Sequence, residues 1–188
     1  MDNTWWFAST YEGEALFKGD FGNDHYLWYG PSRIFRAKNL IDGNAGNANG
    51  NTWEQVYPTS GKTEMGIVSL NVNGTELIAL ESSGKIIYAN DFRSPEWKEL
   101  EIEESNVWFF TDMEVDWDRG IAFVSSVGDE GEGVCYIPLK QIRSGNKNLI
   151  CKPFNTDLPT RLVRNLLLAN NYLFAGTWRE FSCNDFKR

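Results

Sequence analysis

A chain of 188 residues is long enough for one domain with a sizeable core, and 41% hydrophobic against 23% charged residues is the balance of a globular fold. A net charge of −8 with no basic run argues against nucleic acid or an anionic membrane surface as partner. The longest apolar runs, such as Leu166 to Ala169, are far too short to span a bilayer.

The start, Met1-Asp2-Asn3-Thr4-Trp5-Trp6, has neither the basic nor the apolar region of a signal peptide. The chain is therefore expected to be intracellular, part of a virus-like assembly, or a mature form without its leader. Aromatic residues make up 14%, with 8 Trp, which favours strands. Thr4 to Ser9 and Ala15 to Lys18 read as strands, as do Tyr26 to Tyr29, before the turn Gly30-Pro31-Ser32, and Arg33 to Ala37. An Asn- and Gly-rich loop from Asp42 to Asn51 leads to the strand Glu54 to Tyr57.

The next unit is cleaner. Gly66 to Val72 and Glu76 to Glu81 flank Asn73-Gly74, a strong hairpin signal, and Lys85 to Ala89 and Glu96 to Ile102 follow. A third unit runs through Val107 to Trp117, Ile121 to Val124, an acidic loop from Gly128 to Gly133, Val134 to Pro138 and Leu149 to Phe154. Only Leu139 to Ser144 has the make-up of a helical turn. A fourth unit, Leu162 to Ser182, is an apolar run, an Asn170-Asn171 turn, a second apolar run, a Gly and a third short run.

The second-strand centres fall at Leu27, Ile78, Ala122 and Leu173. A recurrence of about 40–50 residues with four short strands per unit is the signature of propeller blades. The fold expected is all-β and propeller-like, a single domain over 1–188 with blade units near 10–57, 66–102, 107–154 and 162–182. Asn3-Thr4-Trp5 matches Asn51-Thr52-Trp53, which opens the last strand of the first unit. The strand at 4–9 is therefore expected to close the last blade, so that no edge stays unpaired.

Asn49-Gly50-Asn51-Thr52-Trp53-Glu54 resembles the Asp-box, the bacterial neuraminidase repeat Ser-x-Asp-x-Gly-x-Thr-Trp. Tyr172-Leu173-Phe174-Ala175-Gly176-Thr177-Trp178 is similar to a strand common in those propellers. The resemblance implies a structural hairpin between the third and fourth strands of a blade, with its Trp packed between blades. Ala48 stands where the Asp of the box is expected, and the third unit has no box. Sialidases of that family have more blades and a catalytic set of arginines, a Tyr–Glu pair and an Asp. Arg33-Ile34-Phe35-Arg36 resembles their Phe-Arg-Ile-Pro segment without the Pro. Their arginines have no residue-by-residue match here, so the resemblance carries no catalytic residue.

Other constellations have plain readings. Ser60-Gly61-Lys62-Thr63 lacks the upstream Gly of a phosphate-binding loop. His25, the sole histidine, has no nucleophile motif to serve and reads as a loop residue at a blade rim. Asp129, Glu130 and Glu132 lack EF-hand spacing and read as solvated turn chemistry. Cys135, Cys151 and Cys183 have no zinc spacing and read as buried or incidental thiols, although Cys135 and Cys151 fall on adjacent expected strands and leave one disulfide open. Asn73-Gly74-Thr75 is a glycosylation sequon with meaning only in a secreted chain.

No cofactor or metal is expected. The candidate ligand-binding set is Trp28, Tyr29, Arg33, Arg93, Trp178 and Arg179, with Trp97 beside it. Aromatic faces with Arg forks suit glycan or protein recognition, while Trp28, Trp97 and Trp178 also suit wedges between blades. The expected function is a non-catalytic binding or structural module with a protein or glycan partner, oligomerisation and a larger assembly being left open. The alternative is a sialidase-like or other glycoside hydrolase, or a fragment of one.

Overall fold

The computed structural model describes residues 4–10, 16–18, 24–26, 32–38, 54–57, 66–103, 107–128, 133–154, 158 and 160–177. Within these the fold is all-β apart from one short helix, with several antiparallel sheets and none closed. The first sheet holds β1 (Thr4–Thr10), β4 (Ser32–Lys38) and β5 (Glu54–Tyr57) in the order β1-β4-β5, with a separate hairpin of β2 (Leu16–Lys18) and β3 (Asp24–Tyr26) between. The second sheet is a meander of β6 (Ile67–Asn73), β7 (Glu76–Glu81), β8 (Lys85–Ala89) and β9 (Lys98–Ile102).

The third sheet comprises β10 (Val107–Asp116), β11 (Ile121–Gly128), β12 (Gly133–Pro138) and β14 (Lys152–Pro153). Between β12 and β14 come helix α1 (Leu139–Ser144) and β13 (Asn148–Leu149), and β13 joins the second sheet, parallel to β9. The fourth sheet is the hairpin of β15 (Val163–Ala169) and β16 (Tyr172–Thr177), turned by Asn170 and Asn171 at φ 49 and 66. Asn is among the few residues that tolerate this left-handed pair.

Three apolar cores separate successive sheets. In β7 the period-2 pleat sends Leu77 and Ala79 to the core shared with Ile34, Val56 and Tyr57 of the first sheet. Ile78 and Leu80 face the opposite way, into the core shared with Met113, Val115, Ala122 and Val124 of the third sheet and with Leu139 and Ile142 of α1. In β11 the same alternation turns Phe123 toward Val163 and Leu166 of the fourth sheet. Strands buried on both faces are read as continuous apolar runs, which is what Leu77-Ile78-Ala79-Leu80 is.

The first strands of successive sheets lie side by side and are joined by side chains. Ser69 and Asn71 of β6 donate to the Met113 carbonyl of β10 at 2.7 and 2.9 Å. From β10, Thr111 donates to the Val163 carbonyl at 2.8 Å, and Asp112 accepts from the Leu166 N–H at 2.8 Å. The Met113 and Val163 carbonyls and the Leu166 N–H are thus satisfied by side chains, without a ladder between sheets.

Four expectations change. The N-terminal strand does not close the last unit: β1 pairs with β4 along its full length, Thr4 opposite Lys38 through Thr10 opposite Ser32, because these two seven-residue strands match in length and pleat. The second strand of the first sheet is therefore β4, and the segment around Leu27 lies outside the described residues, β3 ending at Tyr26. The strand expected from Leu149 to Phe154 is divided between two sheets, because Gln141 of α1 takes the Ile150 backbone, accepting from its N–H at 3.2 Å and donating to its carbonyl at 3.5 Å. Cys135 and Cys151 are joined in a disulfide, with Cα atoms 5.6 Å apart, and are not thiols.

Candidate functional site

A cavity of about 490 Å³ opens where the β8–β9 connection meets α1. Its walls are Tyr88 and Asn90 at the end of β8, Asp91, Ser94, Pro95 and Glu96 in the connection, Lys98 at the start of β9, and Arg143 of α1. The connection is shaped by its own sequence. Asp91 Oδ1 accepts from the Arg93 N–H at 3.0 Å, the Asx turn that Asp favours, and both carboxylate oxygens hold the Arg93 guanidinium, at 2.8 and 2.6 Å. Phe92 is buried in the first core, and its N–H donates to the Thr75 carbonyl at 2.9 Å.

The first sheet anchors the same connection. Arg36 of β4 donates through Nη1 to the Phe92 and Arg93 carbonyls, each at 3.3 Å. Trp97 donates its indole N–H to the Val56 carbonyl at 2.8 Å and meets the Tyr57 ring edge-on at 5.4 Å. Tyr57 in turn donates to Glu99 at 2.7 Å.

Helix α1 buries Leu139 and Ile142 and presents Arg143 on its exposed side. It stops at Gly145, whose φ of 75 suits a residue without a Cβ. Arg143 forks onto Glu76 of β7, with Nε and Nη2 each 2.8 Å from a carboxylate oxygen. Lys98 runs beside Gly145 and brings its ammonium 5.7 Å from the centre of the Tyr88 ring.

The charges at the site are mutually balanced. Hydrogen bonding from Arg143 holds the Glu76 carboxyl below its usual range against the opposing effect of burial. Burial, then the charge and hydrogen bond of Glu76, push the Tyr88 hydroxyl up to about 12. The Arg93 side chain and N–H hold the Asp91 carboxyl down to about 2. The cavity is thus lined by the buried Tyr88, the Lys98 cation, the Arg143 cation already forked onto Glu76, an amide, a hydroxyl, and the carboxylates of Glu96 and of Asp91, the latter paired with Arg93. That is a surface for a small polar ligand rather than an apolar one.

Of the sequence candidates, Trp28, Tyr29, Trp178 and Arg179 lie outside the described residues. Arg33 sits half-buried on β4, and the β4 arginine that reaches the cavity connection is Arg36. Arg93 stands beside the cavity, pinned to Asp91. Trp97 is a wedge between the first and second sheets. Tyr88, Lys98, Glu76 and Arg143 were not singled out from sequence. Glu76 and Arg143 are 67 residues apart, and no motif links positions at that distance.

His25 lies in β3, while Ser60 to Thr63, Asp129, Glu130, Glu132 and Cys183 fall outside the described residues. Among the described residues no group of three or more His, Cys, Asp or Glu is arranged to hold a metal ion, and no helix is long and apolar enough to cross a membrane. No protein-family model matches the chain, and searches of curated proteins and of solved structures return no match.

Proposed function

We propose that this chain is a binding module whose β8–β9 cavity takes a sugar unit of a glycan, one bearing a carboxylate. The observation that carries the reading is the cavity lining itself. Lys98 supplies a cation for the acid group, Arg143 adds a second beyond its two bonds to Glu76, and Asn90, Ser94 and Glu96 supply hydrogen-bonding groups for hydroxyls, over a floor in which Tyr88 is buried. The sheets are read as blades of a propeller-like array related to Asp-box proteins. Support comes from the side-by-side first strands, the cores between successive sheets and the recurring meanders. Among the described residues no strand pairs with the outer edge of β16, and an edge of this kind suits a place in a larger assembly.

The test is titration of the purified chain with uronic and sialic acids and with neutral sugars, followed by NMR. Shifts at Asn90, Ser94 and Lys98 are expected with acidic sugars, and Lys98→Ala should weaken binding at least tenfold. An absence of shifts at these residues would overturn the reading. Light scattering on the same sample tests the assembly: a monomer at all concentrations argues against it.

A second reading, a sialidase-like hydrolase, is favoured by one observation. Tyr88, Glu76 and Arg143 bring a Tyr–Glu pair and an arginine together. Its chemistry is less well served, because a nucleophilic phenol needs a base and Glu76 is both held by Arg143 and made less basic. Release of the fluorophore from a fluorogenic sialoside, lost in Tyr88→Phe, would establish it.

A further inference from the structure

We infer that Asn73 is an N-glycosylation site, modified in the same oxidising compartment that forms the Cys135–Cys151 disulfide. The acceptor sequence Asn73-Gly74-Thr75 occurs once in the chain. It forms the tip of the β6–β7 hairpin, where Asn73 is exposed and Gly74 takes φ 58. A Cβ built on Gly74 meets nothing within 4 Å and Asn73 beside it is exposed, so the solvent side of the turn has room for a bulky substituent.

The second observation is independent of the first. Cys135 of β12 and Cys151, beside β14, are bonded, and such bonds form and persist in secretory or other oxidising compartments. The bond forms by exchange with a carrier disulfide, which takes up the electron pair. Asn-linked sugars are added where this chemistry runs. The sugar donor is an oligosaccharide on a polyprenyl diphosphate. The Asn73 amide nitrogen bonds to the anomeric carbon, the C–O bond to the diphosphate breaks, the diphosphate leaves with the electron pair, and the amide proton passes to a base on the transferase.

The order of events follows from the fold. Thr75 donates its hydroxyl to the Asn90 carbonyl at 3.3 Å, and its carbonyl accepts from Phe92. The transferase must read that hydroxyl, so the glycan is added before the hairpin docks on residues 90–92. Asn73 lies opposite Glu76, the partner of Arg143, so the glycan stands near the rim of the cavity.

The experiment is secretion of the full chain from a eukaryotic cell behind an added leader, with intact-mass and peptide mapping before and after peptide-N-glycanase. The expected result is a glycan on Asn73 that the enzyme removes to leave Asp, lost in Asn73→Gln and kept in Thr75→Ser, which retains the hydroxyl and its contact with Asn90. A secreted, disulfide-bonded chain with the bare polypeptide mass would overturn the inference. So would a retained chain with Cys135 and Cys151 reduced.

Discussion

The joint between the second and third sheets makes a quantitative test of the packing. Gly84, in the β7–β8 turn, adopts φ 92 and lies under the ring of Phe110. A Cβ at Gly84 would fall inside van der Waals contact of Phe110 Cε2, with Cδ2 at 2.9 Å and Cζ at 3.2 Å. Phe110 cannot move away at low cost, since it is 3% exposed and its N–H donates to the Ser82 carbonyl at 2.8 Å. Gly84→Ala should therefore lose about 1–2 kcal/mol to the left-handed backbone and about 1–3 kcal/mol to over-packing. Gly120→Ala is the control, because φ is 68 there and nothing lies within 4 Å of the added Cβ, so only the backbone part is expected. Urea unfolding followed by Trp fluorescence measures both. Phe110→Ala in the Gly84→Ala background should cost less than Phe110→Ala alone, since the ring that clashes is gone. Equal losses at Gly84 and Gly120, or no coupling to Phe110, would refute the packing account.

Removing the disulfide by Cys135→Ala with Cys151→Ala opens a cross-link spanning 16 residues and should cost about 3 kcal/mol. Reductant should then shift the unfolding midpoint of the wild type and leave the double variant unchanged. Asp91 titrates at about 2 against an ordinary 3.8, so its stabilising contribution is present above the ordinary value and lost as pH falls through about 2. NMR titration should return its midpoint toward 3.8 in Arg93→Ala, and a wild-type midpoint already near 3.8 would exclude the pairing. Glu114 is shifted the other way, raised by burial and then by Asp112, so its ionisation opposes folding as pH rises through and above its ordinary value of 4.5. Glu114→Gln should raise the urea midpoint near neutral pH and leave it nearly unchanged in acid, and a loss at neutral pH would contradict this.

Much of the strand content was legible because period and turn chemistry agree locally. The turn signalled by Asn73-Gly74 forms at Gly74, which is left-handed while Asn73 stays in β6, Asn170-Asn171 turn in the left-handed conformation Asn tolerates, and Leu139 to Ser144 is the helix, since Leu139 and Ile142 are its buried pair one turn apart. What failed was long-range pairing. The likeness of Asn3-Thr4-Trp5 to Asn51-Thr52-Trp53 suggested a partner for β1 at the far end of the chain, but short sequence likeness has no bearing on which edge a strand meets. The split at Ile150 was invisible because it depends on Gln141 approaching from α1. The cavity was illegible for the same reason: Glu76, Tyr88, Lys98 and Arg143 become neighbours only after the meander and α1 have packed. Arg93 was singled out as a ligand-binding candidate, but its partner Asp91 was not recognised as the group that fixes it.

The two residues of β13 carry a consequence for how the protein comes apart. By crossing from the third sheet to pair with β9, with Asn148 and Leu149 opposite Glu101 and Ile102, they act as a tether across the seam between sheets. Backbone bonds from Glu101 to Lys147 and from Glu103 to Leu149 reinforce it, at 2.7 and 3.0 Å. The disulfide fixes the same segment to β12 one residue before β14. The outer edge of the second sheet therefore cannot fray independently, because opening β9 must first peel away a strand that is covalently anchored in the next sheet. The Glu101 and Glu103 amides should exchange with solvent as slowly as the neighbouring core, and reduction should speed them, making a bond in one sheet the clock for motion in another.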